Sequence, residues 1–165
     1  NEGATIFTYR VNDPSNYAVI KSNKDGKIIS IVEKPKKFIS SNAVTGLYFY
    51  DEQVCDLAAS LRPSARGELE ITDLNNLYLE SKMLNVQVMG RGYAWLDTGT
   101  HDSLHEASGF ISTIQKRQGL MVACPEEIAL QKGWITLDEV LRQANELGNS
   151  NYGQYLLRIS DQNAL

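Results

Sequence analysis

The chain has 165 residues, of which 42% are hydrophobic, and it carries 16 basic and 20 acidic side chains for a net charge of -4. That length suits one ordinary domain, or part of a larger one, with a real apolar core. The mild acidity argues against a dedicated nucleic-acid binder, which carries a basic patch, and no apolar run approaches the ~18 residues of a membrane span.

The opening residues Asn1-Glu2-Gly3-Ala4 lack the basic and apolar stretches of a signal peptide, and they lack an initiator Met, as a fragment would. Thr5–Val11 is rich in β-branched and aromatic residues and reads as a strand. A turn cluster, Asn12 to Asn16, leads to a short strand at Tyr17–Lys21. Asn23-Lys24-Asp25-Gly26 predicts a hairpin turn, because Asp-Gly supplies the positive φ such turns need. Lys27–Glu33 alternates apolar and polar and is stopped by Pro35, and Ala43–Tyr50 suits a buried strand. The period then changes. Glu52–Leu61 reads as a helix halted by Pro63, and Glu68–Ser81 as one with Ile71, Leu74 and Tyr78 on one face. Asn85–Met89 and Tyr93–Leu96 read as short strands around Gly90-Arg91-Gly92.

From residue 100 the pattern is helical. Thr100 is placed to N-cap a helix with Leu104, Ala107, Ile111 and Ile114 inward, closed by Gly119. Pro125 fits the first position of a short helix ending near Gly133. Thr136-Leu137-Asp138-Glu139 is a capping box for a helix stopping near Gly148, and Tyr152–Ile159 reads as a last helix. Cys55 and Cys124 read as small buried hydrophobes rather than a disulfide, and the cytoplasm is the expected compartment. Strands, helices, strands and helices in that order predict a mixed α/β sheet over residues 1–100, followed by a helical region over 101–165. The first four strands come without intervening helices, as in the second half of a sheet begun elsewhere.

Three segments carry candidate chemistry. In Glu33-Lys34-Pro35 a carboxylate and an ammonium adjoin at a strand end. Such a pair suits sugar hydroxyls and a phosphate, and it also suits a plain solvated terminus. Asp97, in Trp95-Leu96-Asp97-Thr98-Gly99-Thr100, stands where a short strand gives way to a capped helix. A carboxylate there is placed either to ligate Mg²⁺ or to stabilise the turn. Arg66, beside Glu68 and Glu70, is a phosphate or carboxylate partner or a surface charge, with the two glutamates reading as helix-dipole partners. His101 and His105 have metal-ligand spacing, but no third ligand accompanies them, and a surface or packing role is the plainer reading.

Taken together, several segments resemble the bacterial sugar nucleotidyltransferases, and among them the glucose-1-phosphate thymidylyltransferases. They are Val11-Asn12-Asp13-Pro14, Glu33-Lys34-Pro35, Val44 to Tyr50, Ala65 to Asp73, Gly90 to Thr100, Arg117 to Leu120 and Asn151 to Leu156. The similarity runs collinearly from about Gly3 to Ile159.

The resemblance implies a Rossmann-like nucleotide-diphospho-sugar transferase sheet with its N-terminal half missing and a helical C-terminal appendage. It implies a reaction of dTTP with glucose 1-phosphate to give dTDP-glucose and pyrophosphate, supporting dTDP-rhamnose and polysaccharide biosynthesis. Carried over by motif, Glu33 binds sugar hydroxyls and Lys34 the phosphate, while Tyr17, Ala18, Val44, Gly46 and Arg66 line the pocket. Lys34 and Asp97 are then the catalytic pair, with Asp97 one of two aspartate ligands to a Mg²⁺ cofactor. A regulatory nucleotide site near a subunit interface is implied at Arg91, Val122, Ala123, Cys124, Glu127 and Ile128, in a homotetramer.

Two departures stand out: Ala18 replaces a usual glycine and Lys21 a usual glutamate. The family's loop of the type Gly-Gly-x-Gly-Thr-Arg-Leu, which holds the triphosphate through backbone N–H groups, has no match in residues 1–165. The chain alone is therefore expected to hold the sugar phosphate without turnover. A non-catalytic sugar-phosphate-binding or partner-binding relic and a related uridylyltransferase remain open as alternatives.

Overall fold

The computed structural model describes residues 2–163. The chain divides into two compact units, Asn1–Trp95 and Leu96–Leu165.

The first unit is a mixed five-stranded sheet with two helices. Its strands are β1 (Ala4–Arg10), β2 (Val19–Ser22), β3 (Ile28–Val32), β4 (Asn42–Phe49) and β5 (Leu84–Val88), in the spatial order β3-β2-β4-β1-β5. The β2–β3 hairpin forms as its turn chemistry requires: Gly26 has φ 79°, and the Asn23 side chain accepts from the N–H groups of Asp25 and Lys27. β1 runs antiparallel to β4 and parallel to β5. Between Ile6 and Thr8 the β1–β4 register shifts, and the Thr45 hydroxyl donates to the Phe7 carbonyl at 3.1 Å. β2 meets β4 at one register pair, Val19 with Ala43.

Helix α1 (Val54–Ser60) and helix α2 (Ile71–Glu80) complete this unit. Ile6, Ile20, Ile31 and Val44 form one buried cluster, and Ala4, Leu74 and Tyr78 form another with Tyr50, Leu57 and Leu61 around it. The predicted helix over Glu68–Ser81 begins later, at Ile71, because residues 64–68 are committed to a turn. Ser64 N–H donates to the Glu68 carbonyl, and Gly67 N–H to the Ser64 carbonyl, both at 2.8 Å. Ile71 consequently stands at the helix start and is exposed, while Leu74 and Tyr78 face the core. Cys55, expected to be buried, is exposed, because Val54, Leu57 and Ala58 are the residues that α1 turns inward. Tyr93–Leu96 is not a strand. Past β5 the ladder gives way to side-chain packing: Tyr9 Oη donates to the Tyr93 carbonyl at 3.0 Å, and the Trp95 ring lies 6.1 Å from Tyr9 and 5.0 Å from Tyr17.

The second unit is helical: α3 (His101–Gln118), α4 (Pro125–Gln131), α5 (Leu137–Glu146) and α6 (Asn151–Asn163). Thr100 caps α3, reciprocated by Ser103, and Thr136 and Glu139 make the predicted capping box on α5. Of the four α3 positions expected inward, Ala107 is buried, Ile111 and Ile114 are half-buried, and Leu104 is exposed. The core gathers Cys124, Val140, Ala144, Tyr155, Leu156 and Ile159. Among the described residues, no helix is long and apolar enough to cross a membrane.

Candidate functional site

The sheet and α2 bring most of the sugar-site candidates of the first unit together. Two backbone hydrogen bonds join three separate segments. Lys34 N–H donates to the Tyr17 carbonyl at 3.2 Å, and Val44 N–H donates to the adjacent Ala18 carbonyl at 2.7 Å. Tyr17-Ala18 is thus clasped between the Glu33-Lys34 corner and the start of β4. Gly46, in the irregular stretch of β4, is exposed, and open space surrounds the position a Cβ would take.

Glu33 lies just past the end of β3 and is half-buried. Its carboxylate accepts from the buried hydroxyl of Thr72 at 2.6 Å. Tyr48 feels the charge of this carboxylate: burial first, and then the Glu33 charge, push its phenol above the usual range. Lys34 is exposed and has φ 39°, in the left-handed region that a side chain with a Cβ rarely enters. The following Pro35 disfavours α-region backbone at this position, so the corner carries local strain.

Arg66 is not an open cation. Its guanidinium is hydrogen-bonded to Glu68 and pairs with Glu70 at 3.0 Å. The Glu68 hydrogen bond above all, with Glu70 and Glu33 charges adding to it, holds its pKa above the ordinary value. Glu68 and Glu70, read from sequence as helix-dipole partners, instead clamp Arg66, and Glu70 also accepts from the Ser64 hydroxyl at 2.9 Å. An anion at Arg66 would have to displace these carboxylates.

Asp97 is the second residue of the second unit and is half-buried. Among the described residues its carboxylate has no hydrogen-bond or ion-pair partner, and a Cβ at Gly99 would lie 3.3 Å from one of its oxygens. Among the described residues no group of three or more His, Cys, Asp or Glu side chains is placed to hold a metal. One uncommitted carboxylate fits Mg²⁺ in its usual protein role, with phosphate and water oxygens completing the shell. His101 and His105 are both exposed on α3.

Of the regulatory-site candidates, Arg91 belongs to the first unit and is exposed. In the second unit Val122 and Ile128 are exposed, and Ala123 has φ 55° at the turn into α4. Cys124 is buried, its sulfur 3.2 Å from the Tyr152 hydroxyl, so its side chain serves the helical core. Glu127 accepts from the Tyr155 hydroxyl, and Tyr152 donates to Glu126. Burial first, then the hydrogen bonds to Cys124 and Glu126, push the Tyr152 phenol up.

The sequence reading did not single out Tyr48, Thr72 or the Trp95 ring as neighbours of these candidates. All three fall inside the motifs that carry the resemblance, and for Tyr48 and Trp95 aromatic character was a further signal. Nothing in the sequence pairs Thr72 with Glu33.

A profile of the nucleotidyl transferase family matches residues 1–114. The chain is 56% identical over 164 residues to the glucose-1-phosphate thymidylyltransferase of Xanthomonas campestris pv. campestris, covering 99% of this chain and 56% of that protein. It is 52% identical over 157 residues to the enzyme of the same description from Neisseria meningitidis, covering 95% of this chain and 54% of that one. A solved structure described as a glucose-1-phosphate thymidylyltransferase from Bacillus anthracis, in complex with sucrose, superposes with a TM-score of 0.59 at 46% identity. That match covers 67% of this chain and 44% of the other. The chain thus spans little more than half the length of the relatives it matches. With the profile covering well over half of its residues, the chain belongs to the nucleotidyl transferase family.

Proposed function

We propose that this chain is the sugar-phosphate-holding portion of a glucose-1-phosphate thymidylyltransferase, an enzyme that joins dTTP and glucose 1-phosphate into dTDP-glucose with release of pyrophosphate. The observation that carries this reading is the clasp formed by the Lys34–Tyr17 and Val44–Ala18 backbone bonds beside the Thr72-held Glu33 carboxylate. Glu33 accepts hydrogen bonds from sugar hydroxyls, since an ionised carboxylate is acceptor-only. Lys34 supplies a compact positive charge for the sugar phosphate. Tyr17, Ala18, Val44 and Gly46 form the wall, and Arg66 joins when an anion outcompetes Glu68 and Glu70.

Phosphoryl-type transfer depends on positioning and charge neutralisation. Asp97 would hold Mg²⁺, which when bound neutralises phosphate charge. The rest falls to the chain's own residues: Glu33 orients the sugar and Lys34 steadies the phosphate whose oxygen attacks. Arg91, Val122, Ala123, Cys124, Glu127 and Ile128 form part of a regulatory nucleotide site in a homotetramer, where Cys124 contributes backbone. No triphosphate-gripping loop is recognisable in residues 1–165, so the chain by itself binds sugar phosphate without turnover.

Calorimetric titration of glucose 1-phosphate into the chain tests this. Saturable binding weakened at least about tenfold by Glu33→Gln and by Lys34→Ala is expected. Equal affinity in wild type and both variants overturns the assignment, and pyrophosphate release scaling with chain concentration overturns the lack of turnover.

A partner-binding role is the second reading, favoured by the sparse pairing of β4. Beyond Ala43 its register pairs run to β1, and Leu47 and Phe49 are exposed. Light scattering that shows a concentration-dependent dimer abolished by Leu47→Lys supports it; a monomer at all concentrations removes it.

A further inference from the structure

β3 stands at one edge of the sheet, so among the described residues it has no strand neighbour on its outer side. Ile31, in that strand, is buried, and a buried peptide group left unpaired is destabilising. One side chain meets both needs. Ile31 N–H donates to Asn76 Oδ1 at 3.0 Å, and Asn76 Nδ2 donates to the Ile31 carbonyl at 3.0 Å. A carboxamide presents the same donor and acceptor as a peptide unit, so Asn76 takes the place of a neighbouring strand at this one residue.

Thr72 lies one helical turn before Asn76 on the same face of α2, and Glu33 lies two residues after Ile31 along the β3 direction. Four helical residues rise about 6 Å and two extended residues about 6.6 Å, so α2 can reach the end of β3 at both points. The β2–β3 pairing extends to Val19 with Val32, and Glu33 lies beyond it. Past that pair the backbone is held on the β2 side by the Lys34–Tyr17 bond, and the carboxylate itself is held by α2 through Thr72.

We propose that Asn76 is a positioning residue for Glu33, fixing the end of β3 to α2 so that the carboxylate meets a sugar hydroxyl. This rests on the reading of Glu33 as the sugar-hydroxyl acceptor. The Asn76 carboxamide is committed to Ile31 and acts on Glu33 through the strand. Without it the β3 backbone loses its hydrogen bonds to α2, the Lys34–Tyr17 bond holds only the sheet side, and the carboxylate shifts relative to the helix.

The test uses the full chain with Asn76→Ala, where water can reach Ile31, and with Asn76→Gln, which keeps the carboxamide one methylene further out. Urea unfolding first establishes that each variant folds. Two readouts follow: affinity for glucose 1-phosphate against inorganic phosphate, and the ¹³C shift of the Glu33 side-chain carboxyl without ligand. Asn76→Ala is expected to weaken glucose 1-phosphate about tenfold, to leave inorganic phosphate within about twofold, and to move the Glu33 resonance. Asn76→Gln should fall between Asn76→Ala and wild type in both readouts, and it carries the test if Asn76→Ala does not fold. Equal weakening of both ligands, or a Glu33 resonance that stays in place, overturns the proposal. A wild-type chain that binds no glucose 1-phosphate overturns the reading of Glu33 instead. The Glu33 resonance then decides alone whether Asn76 places the carboxylate.

Discussion

The Thr72 hydroxyl, itself buried, donates to the Glu33 carboxylate at 2.6 Å. Thr72 is the second residue of α2, so the carboxylate is held at the helix end where peptide dipoles favour negative charge. Thr72→Val keeps the shape and removes the donor. A hydrogen bond to a charged group contributes about 1.5–3 kcal/mol, so glucose 1-phosphate affinity should fall about tenfold. Calorimetry on the variant checks this; an unchanged affinity would show that the carboxylate needs no fixed orientation.

Asp51 gives the first unit its pH limits. The Gly3 amide at 2.7 Å, then the Tyr78 hydroxyl at 2.8 Å, hold its carboxyl below 3.8. A lowered folded pKa contributes stability above 3.8 that is lost as pH falls through the folded value. Tyr78 marks the other end. Burial first, then the Asp51 bond and charge, push it from 10 up to about 12. A raised folded pKa contributes stability that is complete below 10 and lost as pH rises toward about 12. Urea midpoints should therefore be flat through neutrality and drop below about pH 4 and above about pH 10. Tyr78→Phe should reduce the slope of the alkaline limb, with Tyr48 and Tyr50, also raised by burial, supplying the remainder; a limb that keeps its full slope in that variant would assign it to those groups.

Gly3 ties the start of β1 to the turn after α2. It has φ 84°, and a Cβ there would lie 2.2 Å from the Met83 carbonyl oxygen, the acceptor for Ala4 N–H at 2.8 Å. Gly3→Ala adds a left-handed backbone penalty to a backbone clash, and a loss of about 3 kcal/mol is expected. Denaturant unfolding of this variant should show that loss, and a change below about 1 kcal/mol would mean the Gly3 turn relaxes freely.

What could be read in advance divides along sequence distance. The Asn23–Lys27 turn and the Thr136–Glu139 box are complete within a few residues, and both form from their own side chains. The site corner at Glu33-Lys34 was visible as chemistry. Its supports come from Thr72, 39 residues away, and from Asn76, 45 residues from Ile31, and no local pattern encodes those meetings. Tyr93–Leu96 shows the converse error. Its aromatic residues have high β propensity, yet propensity for a half-buried surface is equally satisfied by ring packing on Tyr9 and Tyr17. Arg66 and its glutamates read as separate roles in sequence, but in space the three charges neutralise one another first.

Lys34 offers the sharpest separation of folding from binding. Its φ of 39° costs an ordinary residue about 1–2 kcal/mol relative to the right-handed region, a strain that glycine does not pay. Lys34→Ala keeps the strained backbone and removes the ammonium; Lys34→Gly removes both. If the side chain serves only ligand, the two variants should bind glucose 1-phosphate equally poorly, at least about tenfold below wild type. They should differ in stability. Relief of the left-handed strain favours the glycine variant, while its greater unfolded-state entropy takes back about 0.5–1 kcal/mol. Glycine is therefore expected to exceed alanine by about 0.5–1 kcal/mol in urea unfolding. If alanine proves the more stable, the corner is not strained in solution and residue 34 owes its identity to something other than charge at a distorted backbone.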